Sequence, residues 1–156
     1  DSKVIVISKR SGKVLDFQMN DKCAAGTGRF LEVMASALEV DIDDFGDLAL
    51  KSNNPLTISS MCTVFAESEV ISLFAQGQAK EDIALGIHES IAKRVGGMAK
   101  RLSITDPLVF CGGVAKNPAV KKSLENTLEM KIQTPENPQL TGAIGAALIS
   151  YDKLNK

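Results

Sequence analysis

A short apolar run meets a double glycine in the stretch VFCGGVAKNP, residues 109–118. The apolar residues predict a buried strand and the glycines a tight turn. Asn117 and Pro118 predict the start of a helix, because proline at the first helical position loses no hydrogen bond. A backbone without Cβ atoms lets a flat ring or a phosphate approach closely, and a helix N-terminus favours anions. The stretch is therefore either a ligand-binding loop or simply a tight β–α turn.

Helical periodicity is strongest in the segment that precedes residues 109–118. From Lys80, apolar side chains recur every three or four positions, which predicts a helix of about 22 residues. Gly96 and Gly97 interrupt it at a cost of about 1 kcal/mol each, so they need a reason such as close packing. Further helices are predicted after the small-residue loop at 25–28, over residues 41–51, and up to a stop at Gly77.

The predicted strands combine two patterns. A hairpin is expected at residues 4–7 and 14–19, followed by a third strand that includes residues 61–64. The strand at 108–111 and a last strand at 130–133 then alternate with helices, the final one over residues 141–151. An antiparallel start followed by β–α alternation predicts an α/β fold with a mixed sheet and flanking helices. With no linker or internal repeat, residues 1–156 are expected to form a single domain.

Charge and hydropathy exclude two classes of function. The 156 residues carry 18 Lys and Arg against 19 Asp and Glu, a formal charge of −1, so the basic surface of a dedicated nucleic-acid binder is not expected. No apolar run approaches the roughly 20 residues of a membrane span. The chain opens at Asp1 without an initiator Met or a leader, and we expect it to be a piece of a longer protein.

Three widely spaced cysteines, Cys23, Cys62 and Cys111, do not describe a disulfide framework. They fit a reducing cytosol, where a thiol is inert, catalytic or metal-binding. Cys23 precedes a predicted helix N-terminus, which lowers the pKa of a thiol, and Cys62 lies near another element junction. Cys111 is expected to be buried in its strand. The chain has one His, so the cysteines are either inert or part of a site that this chain does not complete alone.

The remaining candidate groups indicate no common catalytic constellation, and catalytic residues stay unassigned. His88 lies one position off the apolar stripe of the long helix and is interpreted as a boundary residue. The basic pairs at 93–94 and 100–101 are interpreted as a solvated face. Glu67 and Glu69 would diverge by about 200° on a helix, so they do not form a facing acid/base pair.

Four segments together resemble a known family. In order, they are NDKCAAGTGRFL at 20–31, CTVFAESE at 62–69, FCGGVAKN at 110–117 and TGAIGAAL at 141–148. The chain resembles the ATP-dependent activators of 2-hydroxyacyl-CoA dehydratases, relatives of the ATPase subunits of benzoyl-CoA reductase. The resemblance implies a ribonuclease H-like lobe of the actin and sugar-kinase ATPase fold, specifically the C-terminal lobe, with the N-terminal lobe absent from this chain.

The resemblance also implies cofactors. It implies a homodimer with one [4Fe–4S] cluster at its interface, ligated by Cys23 and Cys62 of each subunit, and it implies ATP or ADP with Mg²⁺. The residues that match nucleotide motifs are Gly112, Gly113 and Asn117 in the adenosine motif, Gly142 and Gly145 in the final helix, and Asp1 at the end of the second phosphate loop. Cys111 has no role in this scheme.

The implied function is ATP-driven donation of one electron to a dehydratase or a related CoA-ester reductase. The implied upstream donor is a ferredoxin or flavodoxin, and the implied location is the cytoplasm. ATP hydrolysis by this lobe alone is not expected. Two alternatives stay open: a sugar-kinase-like phosphotransferase lobe whose glycine loop at 26–28 holds substrate, and a non-catalytic docking or dimerisation fragment. The phosphotransferase alternative gives the cysteines no role.

Overall fold

A computed structural model describes residues 2–20, 27–59 and 62–155 of the chain. In chain order, the elements are strands β1 (Ser2–Ile7) and β2 (Val14–Asn20), helices α1 (Thr27–Ala37), α2 (Ile42–Ala49), α3 (Thr63–Ala75) and α4 (Lys80–Arg101), strand β3 (Leu108–Val109), a short 3₁₀ helix (Gly113–Lys116), helix α5 (Pro118–Leu128), strand β4 (Ile132–Gln133) and helix α6 (Thr141–Leu154).

Both types of strand pairing that the sequence predicts are present. β1 and β2 form an antiparallel hairpin in which Val4 lies opposite Gln18. β3 and β4 pair in parallel, with Leu108 opposite Ile132. Among the described residues the two pairs form separate two-stranded sheets, so the expectation of one mixed sheet is wrong for this part of the chain.

The third strand expected at residues 61–64 is wrong, because α3 begins at Thr63 directly after Cys62. Ala66 and Val70 lie four residues apart on this helix and are both fully buried. Their helical spacing places both side chains in the core, whereas a strand would need burial at every second residue. Packing one turn further along therefore decides the conformation of the β-branched residues at its start.

Helix α4 is the centre of the core, and its predicted start at Lys80 and length of 22 residues are confirmed. Ile83, Ile87 and Ile91 are buried along it, and it packs against α5 and α2. A Cβ at Gly96 would lie 2.7 Å from Cγ2 of Thr127, which confirms close packing there, whereas the same expectation is wrong for Gly97, whose Cβ would meet nothing within 4 Å. None of the helices within the described residues is long and apolar enough to cross a membrane.

A second glycine of α4 brings a loop against the helix. A Cβ at Gly86 would lie 1.9 Å from the carbonyl oxygen of Leu56, so only glycine allows this approach. The backbone N–H of Leu56 also donates to the carbonyl of Asp82, at 3.1 Å. Helix α4 thereby holds the segment that leads towards Cys62.

Candidate functional site

The Gly112–Gly113 turn lies at the carboxyl ends of both parallel strands. The Phe110 N–H donates to the Gln133 carbonyl and the Gly112 N–H to the Pro138 carbonyl, each at 2.8 Å. Gly112 has a φ of +95°, in the region that favours glycine. Ligands of open α/β sheets bind at such carboxyl ends, so the position of the turn is compatible with the nucleotide that the resemblance implies.

The start of α6 adjoins this turn. The Thr141 hydroxyl donates to the same Pro138 carbonyl at 3.1 Å, and a Cβ at Gly113 would lie 3.3 Å from Nε2 of Gln139. A Cβ at Gly142 or Gly145 would meet nothing within 4 Å. The structure therefore brings Gly112, Gly113 and Gly142 to one end of the sheet, with Gly145 one turn further along an open helix face.

Asn117 is directed into the protein rather than along this open face. Its Oδ1 accepts from the Val120 N–H at 3.0 Å and caps α5. Its side-chain amide also lies 3.0 Å from Nε2 of His88. Asn117 thus fixes the start of the helix that follows the turn, and its contact with adenosine stays a prediction.

The interpretation of His88 as a boundary residue is wrong, since its side chain is fully buried. Nδ1 lies 2.7 Å from the Ala84 carbonyl, which can only accept, so Nδ1 carries the proton and Nε2 accepts from Asn117. The Phe45 ring lies 4.9 Å away. Burial lowers the pKa of His88 to about 4, although the hydrogen bond to the Ala84 carbonyl opposes the shift. The start of α5 covers this face of α4, which periodicity within α4 does not reveal.

The first turn of α1 lies beside the 3₁₀ helix that follows the glycine turn. A Cβ at Gly28 would lie 3.6 Å from Cγ2 of Val114 in the 3₁₀ helix. The hydroxyls of Ser2 and Thr27 are hydrogen-bonded to each other, so the start of β1 also lies beside the first turn of α1. Two predicted site residues, Asp1 and Cys23, lie outside the described residues. Each is close in sequence to this junction.

Cys62 is half-buried at the N-cap position of α3. Its carbonyl accepts from the Ala66 N–H at 2.8 Å, but its side chain makes no capping hydrogen bond. The N-terminus of a helix stabilises a thiolate, and iron–sulfur clusters are held by thiolates. Val64 and Phe65 beside it are 66% and 68% exposed. The position and chemistry of Cys62 fit a cluster ligand on an apolar surface.

Within residues 2–20, 27–59 and 62–155, no group of three or more His, Cys, Asp or Glu could hold a metal ion. The expectation that Cys111 is buried is wrong, because its side chain is exposed. β3 ends at Val109, and Cys111 lies in the turn beyond it. The two-residue ladder is too short to carry residue 111 into the core.

Two charged residues have contacts that the sequence did not indicate. Arg94 is half-buried with its guanidinium 5.8 Å from the centre of the Phe30 ring, and burial lowers its pKa. The predicted solvated face therefore holds for Lys93, Lys100 and Arg101, which are exposed, but not for Arg94. Glu69 accepts hydrogen bonds from Ser59, ten residues before it.

Comparisons of the sequence identify relatives along almost the whole chain. The model of the BadF/BadG/BcrA/BcrD ATPase family matches residues 1–150. The chain is 48% identical to the 2-hydroxyisocaproyl-CoA dehydratase activator of Clostridioides difficile, over 98% of this chain and 57% of that protein. It is 52% identical to the (R)-2-hydroxyglutaryl-CoA dehydratase activating ATPase of Acidaminococcus fermentans, over 98% of this chain and 59% of that protein. The chain thus spans less than two thirds of these relatives' length.

Comparisons of the structure identify the same kind of relatives. The solved activator of the 2-hydroxyisocaproyl-CoA dehydratase from Clostridium difficile, with bound ADPNP, superposes with a TM-score of 0.91 at 48% identity, over 97% of this chain and 56% of that one. Component A of the Acidaminococcus fermentans (R)-2-hydroxyglutaryl-CoA dehydratase superposes with a TM-score of 0.90 at 52% identity, over 99% of this chain and 60% of that one. These ATPases have the actin and sugar-kinase type of fold, which confirms the predicted fold class.

Proposed function

The chain belongs to the BadF/BadG/BcrA/BcrD ATPase family, and from that premise we propose that it is the C-terminal lobe of an ATP-dependent activator. The activator donates single electrons to a 2-hydroxyacyl-CoA dehydratase or a related CoA-ester reductase. Residues 1–156 form one domain of it. The observation that carries the proposal is Cys62, half-buried at the start of α3 with exposed apolar neighbours. The similarity to dehydratase activators supports this function over the phosphotransferase and docking alternatives.

Cys62 and Cys23 are the residues that would hold a [4Fe–4S] cluster. Two thiolates per chain complete a four-thiolate site only when a second copy of the chain supplies the other two, so the proposal includes a homodimer. When bound, the cluster supplies a one-electron carrier. Val64 and Phe65 would exclude water from the site once the second subunit covers them.

Gly112 and Gly113 are the residues that would admit the adenosine of ATP or ADP, because their backbone leaves room for a flat ring. The open face of α6 at Gly142 and Gly145 would form the adjoining wall. Asn117 and His88 hold the start of α5 behind the turn. Asp1 is proposed on the phosphate side, where Mg²⁺ accompanies the nucleotide.

The packing of the start of α1 beside the 3₁₀ helix, where Gly28 faces Val114, would give nucleotide binding a route to the cysteines. Val114 follows the glycine turn directly, and Gly28 lies in the first turn of the helix that follows the Cys23 segment. A displacement of the turn would therefore press on the start of α1. ATP would drive the electron to a lower potential through this conformational coupling, without group transfer to a substrate. The upstream donor would be a ferredoxin or flavodoxin in the cytoplasm.

The cluster proposal is tested on the intact protein purified without oxygen. Wild type is expected to hold about two iron ions and two sulfides per chain, half of one cluster, with the electron paramagnetic resonance (EPR) signal of a reduced [4Fe–4S] centre. Cys23→Ala and Cys62→Ala should lose iron and signal. Cys111→Ala is the matched control, since this exposed thiol has no role in the proposal, and it should retain both. Wild type without iron would overturn the redox function.

The nucleotide proposal is tested by calorimetry with ADP. Gly112→Ala should weaken binding about tenfold, because an alanine at positive φ costs about 1–3 kcal/mol and the turn would rearrange to relieve it. Gly77→Ala is the control, since Gly77 also has a positive φ, +81°, but lies at the end of α3. Equal losses in the two variants would show that the effect is general strain and would contradict the placement of the nucleotide.

A further inference from the structure

Glu69 holds the chain segment that leads into Cys62. The backbone N–H of Ser59 lies 3.0 Å from one carboxylate oxygen of Glu69 and 3.1 Å from the other. The Ser59 hydroxyl donates to the first of these oxygens, also at 3.0 Å. Hydrogen bonds to a carboxylate are about twice as strong as those between neutral groups. One side chain therefore fixes both hydrogen-bond donors of Ser59, the backbone N–H and the hydroxyl.

Glu69 lies on the same face of α3 as Cys62. Seven residues separate them, which corresponds to almost two full turns, so both lie on the same face of the helix about 10 Å apart along its axis. Ser59 lies three residues before Cys62. The carboxylate thus holds Ser59 against α3, about two turns along the helix from Cys62.

A second anchor holds the same segment further upstream. The Leu56 N–H donates to Asp82 of α4 at 3.1 Å, and Gly86 leaves room for the Leu56 carbonyl. Ile58, between the two anchors, is buried in the core. The segment 56–59 is therefore fixed by α4 at one end and by Glu69 at the other. Residues 60 and 61 connect it to Cys62.

We propose that Glu69 is a positioning residue for Cys62: its carboxylate fixes Ser59 and so sets the direction from which the thiolate reaches the iron–sulfur cluster. The inference rests on the proposed function for the cluster itself and extends it to a residue that carries no ligand atom. Partners of this kind orient metal ligands, and their loss typically costs about 10- to 100-fold in metal affinity.

Iron retention by the intact, cluster-loaded protein tests this role. The rate at which iron passes to a chelator is measured without oxygen for wild type, Glu69→Ala, Glu69→Gln and Glu67→Ala. Glu69→Ala should release iron about tenfold faster or more. Glu69→Gln should recover most of the retention, because its amide oxygen still accepts from Ser59. Glu67→Ala removes a carboxylate from the same helix on a different face and should match wild type.

The EPR spectrum of the reduced cluster separates positioning from a general loss of stability. Glu69→Ala should change the shape of the signal, and Glu69→Gln should restore it. A lower unfolding temperature with an unchanged signal would show a merely structural role and overturn the inference. If Glu69→Ala does not fold, Ser59→Ala removes one of the three hydrogen bonds, and wild-type iron release in that variant would likewise overturn it.

Failure of this inference is distinguishable from failure of the proposed function. If wild type holds the cluster but Glu69→Ala and Glu67→Ala release iron equally, the positioning role is wrong and the cluster proposal stands. If wild type binds no cluster, the proposed function fails, and the inference fails with it.

Discussion

The helices around α4 and the elements at either end of the described chain carry similar apolar residues but bury them very differently. Phe45 of α2 and Ile87 of α4 are fully buried. Phe17 of β2 is 59% exposed and Leu148 of α6 is 61% exposed. The central helices cover one another's apolar faces, whereas α6 contributes no buried residue at all. An apolar pattern thus indicates the element, while burial depends on which neighbours are present.

The candidate nucleotide site lies at the boundary between these two regions. Behind the Gly112–Gly113 turn, Asn117 and His88 connect it to the buried helices. In front of it, Gly142 and Gly145 leave the face of α6 open. The contacts behind the turn can keep its backbone conformation fixed, while the open side leaves space for a ligand.

The largest expected difference between the regions is in phenylalanine truncation. Phe45→Ala removes a fully buried ring and should lower the free energy of unfolding by about 4 kcal/mol. Phe17→Ala removes a mostly exposed ring and should cost less than about 1 kcal/mol. Urea unfolding followed by circular dichroism measures both. Comparable losses would mean that the hairpin is covered in solution, and the comparison would fail.

Two glycines of α4 allow a covered and an open position to be compared within one helix. Gly86→Ala places a Cβ against the Leu56 carbonyl and should destabilise the protein by about 3 kcal/mol through overpacking. Gly97→Ala meets nothing within 4 Å and should stabilise it by about 1 kcal/mol through helix propensity. Thermal unfolding of the two variants should shift in opposite directions. A loss at Gly97 would show that this face is not open.

The dependence of stability on pH at His88 is expected to be smaller than the difference within either pair of variants. Its pKa of about 4 in the folded protein lies below the usual value near 6.5, so the unfolded chain binds more protons between these values. Stability is therefore complete above about pH 6.5 and falls as the pH is lowered towards 4. From pH 7 to pH 5 the loss should be about 2 kcal/mol.

The control for this effect uses the fact that His88 is the one histidine in the sequence. Glutamine at this position offers an amide donor and acceptor but does not titrate in this range. In His88→Gln, the unfolding free energy should change much less between pH 7 and pH 5. An equally steep dependence in the variant would assign the titration to carboxylates instead and would place His88 outside the buried region.

Most of the elements could be predicted from the sequence because their signals are local. The bounds of α4 follow from its periodicity, and the start of α5 follows from Asn117 and Pro118. The third strand was wrong because the β-branched start of α3 gives a local signal that packing overrides. Of the candidate site, the structure brings the Gly112–Gly113 turn beside the start of α6, and its role in nucleotide binding stays a prediction. The contacts of His88, Arg94 and Glu69 were missed because each partner lies on another element or on a distant part of the chain.

By itself, the sequence determined most of the helices and strands, the glycine turn, the family and the two cysteines proposed as ligands. These depend on backbone preferences, caps and motifs that are complete within a few residues. Only the tertiary structure decided that His88 is buried and neutral, that Cys111 is exposed, and that Glu69 holds the approach to Cys62. The physical reason is that burial and hydrogen bonding depend on what covers a side chain, and here the covering groups come from elements distant in sequence.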